Sequence, residues 1–393
     1  MKRVAVLGGG PAGAFAAERL ARAGLRAIVF DEKLAWEKPC GGGITYKAYS
    51  RYPFLLDNDL PKKLIHEAQL AAPGSDPCRI NLNRPLVIYS RFDLNRMLLE
   101  RAERAGAQLE KARVLELIRT DRGWRVRTTV GTLEADFCIV ATGARNSLRQ
   151  VGTQWSADNV MYTVGYWVPA SQEHIDIQFL PGLEGYIWVF PRCGHLSVGI
   201  GGKGEPAALL RRRLEQFMCE RGIPLRDAQL YGHMLPSLSP GGWRHNRVAG
   251  DGWLAVGDAG GLVDPITGEG LYYAIRSADL ASEVVLDDTR PPADKPQSYR
   301  WLLVRDFAAD LEFGARFAKR FFLDKLLFSS VPARMVEFMR RSPRFLSLME
   351  DLFAGTLPYR NLKDRLLRNL NGTLQEILWS FFFRRLLPTK SQP

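Results

Sequence analysis

The stretch VAVLGGGPAG, Val4 to Gly13, is an apolar run that breaks into a glycine turn and then into small residues at helical spacing. Val4 to Leu7 reads as a buried parallel strand. Gly8, Gly10 and Gly13 then permit a tight turn, close approach of the backbone to a pyrophosphate, and close packing of helix on sheet. Ala14, Ala16, Ala17, Leu20 and Ala21 continue the helix toward Gly24, and its N-terminus offers unpaired N–H groups and a positive dipole end to phosphates. A second strand, Ala27 to Phe30, ends in two acids. Asp31 holds the register expected of a ribose-binding acid, and Glu32, one step later, is the other candidate. A glycine turn alone also occurs in ordinary α/β proteins, so the stretch needs company.

Two further stretches supply it. Asp136 to Ala141 reads as a strand feeding Thr142-Gly143, where a bulky residue would block a nucleotide. Leu254-Ala255-Val256 is a strand that delivers Asp258 at its carboxyl end, where open α/β sheets bind ligands. Asp258 is expected to bond ribityl hydroxyls. The turn carrying Pro265, Gly268 and Gly270 is expected to open a helix toward a flavin ring, its N–H groups stabilising negative charge on the reduced form. Three such walls in this order, each after an apolar run, point to one FAD site in a dinucleotide fold that a substrate domain interrupts.

With these motifs in hand the chain resembles the geranylgeranyl reductase family, within the larger group of flavin-dependent aromatic hydroxylases and halogenases. The resemblance covers about residues 1–290. KPCGGGIT (Lys38 to Thr45) matches the family's cysteine-glycine loop, implying that Cys40, Gly41 and Gly42 lie over the flavin. Arg91 matches an arginine on the phosphate side of the cofactor. GYIWVFPR (Gly185 to Arg192) matches the aromatic strand on the substrate side, and DPITGEG (Asp264 to Gly270) the third wall. The resemblance implies FAD-dependent saturation of carbon–carbon double bonds in prenyl chains. Its substrates would be prenyl diphosphates, prenylated quinones, chlorophyll precursors or archaeal-type lipids, with electrons from NAD(P)H or a reduced carrier.

The expected fold is α/β: an FAD-binding, Rossmann-like three-layer domain (1–155 and 241–290), an inserted, mostly antiparallel sheet (156–240) and a C-terminal helical region (297–393). Strand signals occur at Tyr162 to Val168, Ile175 to Phe179, Tyr186 to Phe190 and Leu196 to Ile200. Pro73 to Pro85 reads as an excursion within the first part, and Thr289 to Pro296 as a linker. Asn371-Gly372 is expected to end one late helix and Thr373 with Glu376 to cap the next, whose Trp379, Phe381, Phe382 and Phe383 close on Arg384-Arg385.

The chain has 393 residues, 46% of them hydrophobic and 24% charged, enough for two lobes and a sizeable core. Five cysteines without CxxC spacing suggest reduced thiols in a cytoplasm, and neither they nor the five scattered histidines suggest a metal. No signal peptide is expected, because the first apolar stretch is already a strand of the nucleotide fold, and no run is long enough to span a membrane. From Gln297 onward 17 Lys and Arg stand against 9 Asp and Glu, so this quarter carries +8 of the net +12. A solvated helical face and peripheral contact with the inner face of a membrane both account for that charge. Nucleic acid does not, since no recognition motif accompanies it. Gly199 to Gly204 also spells GxGxxG, but no acidic strand end follows, so a second nucleotide site is not expected there.

Tyr186 and Trp188 alternate with Ile187 and share one side of a strand. On the pocket side their faces would stabilise positive charge at a substituted alkene carbon. They and Cys40 are the candidate catalytic residues, with Tyr186 or a bound water as proton donor. Two other readings remain: an FAD-dependent monooxygenase or halogenase acting on an aromatic or peptide substrate, and a non-catalytic flavoprotein that passes electrons or escorts a partner. For halogenation the catalytic lysine has no evident counterpart, Lys62 and Lys63 lacking its context.

Overall fold

The computed structural model describes residues 2–326, 328–362, 364–365 and 372. The chain begins as the glycine pattern requires: β1 (Arg3–Leu7), α1 (Pro11–Arg22) and β2 (Arg26–Phe30). Pro11 opens α1, where its missing N–H costs nothing, and Ala14, Ala16, Ala17 and Leu20 are fully buried against the sheet. There follow β3 (Gly43–Ile44), α2 (Tyr46–Arg51), β4 (Lys62–Ala71), β5 (Cys78–Tyr89), α3 (Arg91–Arg104) and β6 (Gln108–Glu110). A three-stranded meander, β7 (Val114–Thr120), β8 (Gly123–Thr128) and β9 (Gly131–Ala135), leads to β10 (Phe137–Val140).

The middle of the chain is β11 (Val160–Val168), β12 (Ile175–Phe179), β13 (Glu184–Pro191), β14 (Leu196–Lys203), α4 (Ala207–Glu220) and β15 (Gln229–Pro236). A short α5 (Pro240–Arg244), β16 (Ala249–Gly250), β17 (Trp253–Ala255) and α6 (Leu271–Leu286) return to the first sheet. Four helices end the described chain: α7 (Lys295–Leu303), α8 (Ala309–Leu323), α9 (Val331–Arg341) and α10 (Pro343–Phe353). The late helix boundary, capping box and aromatic helix expected around residues 371–385 lie outside the described residues, except Gly372.

The fold is α/β. One six-stranded sheet has the order β16-β17-β10-β1-β2-β6, parallel except for the edge strand β16. An eight-stranded sheet has the order β15-β11-β14-β13-β12-β4-β5-β3 and is antiparallel except where β12 meets β4. The Pro-rich stretch is therefore not an excursion from the nucleotide fold: β4 and β5 are a long hairpin completing the second sheet. Its register jumps between Ile65–Leu86 and Glu67–Asn81. The unpaired residues Leu82 to Pro85 bulge out, which lets Pro85 sit in a strand without breaking a ladder bond.

Gly199 to Gly204 lies largely within β14 and forms no phosphate loop. Gly199 and Gly201 pair with Trp188 and Tyr186. A Cβ on Gly199 would lie 2.2 Å from the Trp188 ring, so the glycine there makes room for the indole. The stretch Thr289 to Pro296 is also tighter than a linker. Lys295 is buried, and its Nζ donates to the carbonyls of Val284, Val285 and Asp287, closing the C-terminus of α6. All five cysteines are unpaired, and no helix among the described residues is long and apolar enough to cross a membrane.

Candidate functional site

The carboxyl ends of β1, β10 and β17 converge on a cavity of about 790 Å³ that continues between the two sheets toward α8, α9 and α10. Gly8 and Gly13 build its glycine turn without lining it. A Cβ on Gly8 would meet the Ala141 carbonyl oxygen at 2.3 Å, and one on Gly13 would meet the Gly8 carbonyl oxygen at 1.9 Å. Gly10 and Gly143 do line the cavity, and beyond their Cα atoms lies open space. Asp31 accepts from the N–H of Gly9 at 2.7 Å and from those of Lys33 and Leu34, while Glu32 is exposed and takes no part.

In and beside the wall, polar atoms are buried without a partner. Arg91, 3% exposed at the start of α3, bonds Asn95 through Nη2, but its Nε is buried without a partner, as is the Thr142 hydroxyl. Open glycine faces at a helix N-terminus beside an unsatisfied guanidinium suit an anionic dinucleotide. Asp258 lines the cavity and pairs with Lys38 at 3.1 Å. Burial alone would raise its carboxyl, yet Lys38, His233 and Arg91 hold it below the usual range. His233 also lines the cavity, and burial and the charge of Lys38 depress it. The residues present therefore fit a flavin nucleotide, which Gly10, Arg91, Asp258, Gly268 and Gly270 could hold.

The Cys40 loop is fixed from behind by a buried network. Arg192, 1% exposed, donates from Nη2 to the Cys40 carbonyl and from Nη1 to Glu37. Ser197 Oγ donates to the same carbonyl at 3.1 Å and bonds Tyr231 at 2.9 Å. Glu37 in turn accepts from Ser90 Oγ and from the N–H groups of Arg91 and Phe92, capping α3. A Cβ on Gly41 would lie 2.0 Å from the Phe190 ring, and Gly42, at φ +80°, faces the Tyr89 carbonyl. Burial opposes ionisation of the Cys40 thiol, but Arg91, Arg192, the Gly42 N–H (3.3 Å) and Lys38 together lower it.

Along β13, Ile187 and Val189 are fully buried in the core beneath α4, which turns Tyr186, Trp188 and Phe190 into the cavity. The Tyr186 and Trp188 rings meet edge-on, 6.2 Å apart. The Tyr186 hydroxyl donates to the Thr267 carbonyl, and burial pushes its phenol up. The turn from Asp264 is held twice over: Asp264 accepts from the N–H of Ile266 and Thr267 and from the Tyr359 hydroxyl at 2.9 Å. Pro265, Gly268, Glu269 and Gly270 complete this wall. Beyond the ring side the cavity is apolar, lined by Leu70, Ile177, Phe179, Phe321, Met335 and Phe345 among others.

Sequence reading thus brings Gly10, Cys40, Gly41, Gly42, Arg91, Gly143, Tyr186, Trp188, Asp258, Pro265, Gly268 and Gly270 to one cavity, and leaves Asp31, Glu32 and Thr142 off its surface. It passed over Glu37, Lys38, Arg192, His233, Glu269 and Tyr359. Lys38, Arg192 and Glu269 stand inside the three quoted motifs, so their charge was the available signal. Lys62 and Lys63 bond Asn58 and Glu173 and do not line the cavity.

Fold and site define an FAD-dependent oxidoreductase. The model of the pyridine nucleotide-disulphide oxidoreductase family matches residues 2–167. The chain is 26% identical over 329 residues to the chloroplastic geranylgeranyl diphosphate reductase of Arabidopsis thaliana, covering 73% of this chain and 66% of that one. It is 28% identical over 316 residues to the menaquinone reductase of Mycobacterium tuberculosis, covering 72% and 76%. Its fold is that of a geranylgeranyl bacteriochlorophyll reductase-like protein of Thermoplasma acidophilum (TM-score 0.77, 22% identity, 93% and 98% covered). A flavin-dependent brominase shares it too (TM-score 0.69, 16% identity, 95% and 99% covered). Over most of its length the chain is thus similar to geranylgeranyl and menaquinone reductases, and it shares its fold with a flavin-dependent brominase.

Proposed function

We propose that this protein binds one FAD non-covalently and saturates double bonds of a prenyl chain. One observation carries the reading: the cavity runs without interruption from the glycine walls, past Tyr186 and Trp188, into an apolar compartment that extends to α10. A flexible hydrocarbon threaded there would be buried along its length, at roughly 0.8 kcal/mol per methylene. Reduced flavin supplies hydride when bound. The chain's own residues then have separate tasks. Gly10, Gly143 and Arg91 hold phosphates, Asp258 orients the ribityl chain, and Tyr186 and Trp188 present aromatic faces to charge developing at the substituted carbon. The apolar lining excludes water from that carbon.

The reductase names of the plant and mycobacterial relatives support the same reading, with a prenyl diphosphate or a prenylated quinone as substrate. The distance of Lys62 and Lys63 from the cavity disfavours halogenation. The test is anaerobic incubation of the flavin-loaded protein with dithionite and either substrate class, followed by mass spectrometry. A gain of two mass units per reduced bond is expected. A product heavier by one oxygen, formed only in air, refutes the reductase reading in favour of a monooxygenase.

A further inference from the structure

We propose that Glu269 is the catalytic acid of the cavity, delivering to the substrate the proton that completes saturation; the inference rests on the reductase reading above. The candidates can be taken one at a time. Burial opposes ionisation of the Cys40 thiol, but Arg91 and Arg192 lower it on balance, and its sulfur already accepts the Gly42 N–H. Tyr186 has its hydroxyl proton on the Thr267 carbonyl, and its phenol is raised by burial. Asp258 is ion-paired with Lys38. Asp264 has both oxygens on the Tyr359 hydroxyl and one of them on two N–H groups as well. Glu350 and Asp351 sit at the α10 end, toward Asn83 and Arg365.

Glu269 differs from all of these. It lines the cavity on the turn that opens α6, one residue beyond Gly268, which faces the Tyr186 hydroxyl. Its Oε1 accepts from Thr45 Oγ1 at 2.8 Å. Its Oε2 takes no hydrogen bond and no ion pair from a described residue. The groups facing it are Thr45, which precedes α2, Lys47 of α2, Asp264 of its own turn, and Tyr272 and Tyr273 of α6. Burial outweighs the Thr45 bond and the Lys47 charge, with Asp264 adding to the rise, and the carboxyl is pushed up to about 7. A carboxylic acid whose pKa lies near neutrality, lining the cavity, is the form general acid catalysis needs.

The step balances. The alkene π bond breaks, and one carbon takes hydride, with its two electrons, from the reduced flavin, which is oxidised. The other carbon takes the proton from Glu269 Oε2, leaving a carboxylate that solvent reprotonates between turnovers. Because the acid form is the active one, transfer is expected to fall as pH rises through about 7.

Glu269→Gln tests this, since glutamine can keep the Thr45 bond but carries no acidic proton. Single-turnover transfer from pre-reduced, flavin-loaded protein to a prenyl diphosphate should slow by about 10²–10⁴-fold, with flavin affinity within twofold. Infrared titration of the substrate-free protein reads the carboxyl directly. Wild type should show a protonated-carboxyl band that Glu269→Gln removes and that titrates at higher pH in Thr45→Val, because the hydroxyl favours the anion. Wild-type turnover matched by Glu269→Gln within threefold, or a band titrating near pH 7 that survives the substitution, overturns the role of Glu269 alone. A wild type that adds no hydrogen to any prenyl substrate overturns the reductase reading and the proposal with it.

Discussion

Replacing Arg192 by Met should uncouple the Cys40 loop from the scaffold, and the size of the effect can be worked out. The Arg192 side chain is wholly buried and Glu37 only 25% exposed. Breaking a buried pair by removing one partner costs about 3–5 kcal/mol. Glu37 keeps Ser90 Oγ and two N–H donors, so we expect the lower end, about 3 kcal/mol at pH 7. Arg192→Met with Glu37→Gln removes the stranded charge and should recover about half of that loss. The pH dependence has a definite sign. Burial would raise the Glu37 carboxyl, but Arg192, Ser90 and the two N–H groups hold it below its usual 4.5. Its stabilisation is therefore present above the unfolded-state pKa and is lost as pH falls through the folded one, so the penalty of Arg192→Met should shrink near pH 4. Urea unfolding of the four proteins of the cycle at pH 7 and pH 4 measures both. In parallel, alkylation of Cys40, followed by peptide mass, should shift to higher pH in Arg192→Met, because one of the cations lowering that thiol is gone. A coupling energy under about 0.5 kcal/mol, with an unchanged Cys40 profile, would refute the network as described.

Gly13→Val should abolish flavin binding, since even a Cβ falls 1.9 Å from the Gly8 carbonyl; a yellow variant releasing one FAD per chain on denaturation contradicts this. Trp188→Ala should slow alkene reduction by about tenfold, the worth of one aromatic face beside a cation, while flavin affinity measured by fluorescence quenching stays within twofold. Tyr359→Phe removes the hydroxyl that joins the C-terminal segment to the Asp264 turn. It should cost about 1–3 kcal/mol in urea unfolding and leave the Asp264 carboxyl higher than before.

The glycine walls could be read in the sequence because each is local: strand and glycine turn are consecutive, and in the first and third walls a helix follows within about twenty residues. The four middle strands could be read for the same reason, by alternation. What escaped was non-local. Glu37 and Arg192 are 155 positions apart, Thr45 and Glu269 are 224 apart, and Tyr359 reaches Asp264 across 95. Nothing in the composition of either partner announces such a pair. Pro73 to Pro85 misled for a physical reason, since prolines normally argue against a strand and here sit beside and within a bulged hairpin. Cys40 was found through its motif, but the cations that set its ionisation come from three separate segments.

The parallel pairing of β10 with β17, and of β12 with β4, has a consequence for how the chain is made. Each pairing joins segments separated by about a hundred residues, so neither sheet can close during synthesis until its late strand has emerged. The Asp258 wall appears more than two hundred residues after Asp31, roughly 10–45 s later at ~5–20 residues per second. Throughout that interval β1, β2 and their glycine turn exist without the third wall. Tyr359 must follow before the flavin-side turn is anchored. The cavity wall is therefore incomplete until the late strands and Tyr359 have emerged from the ribosome.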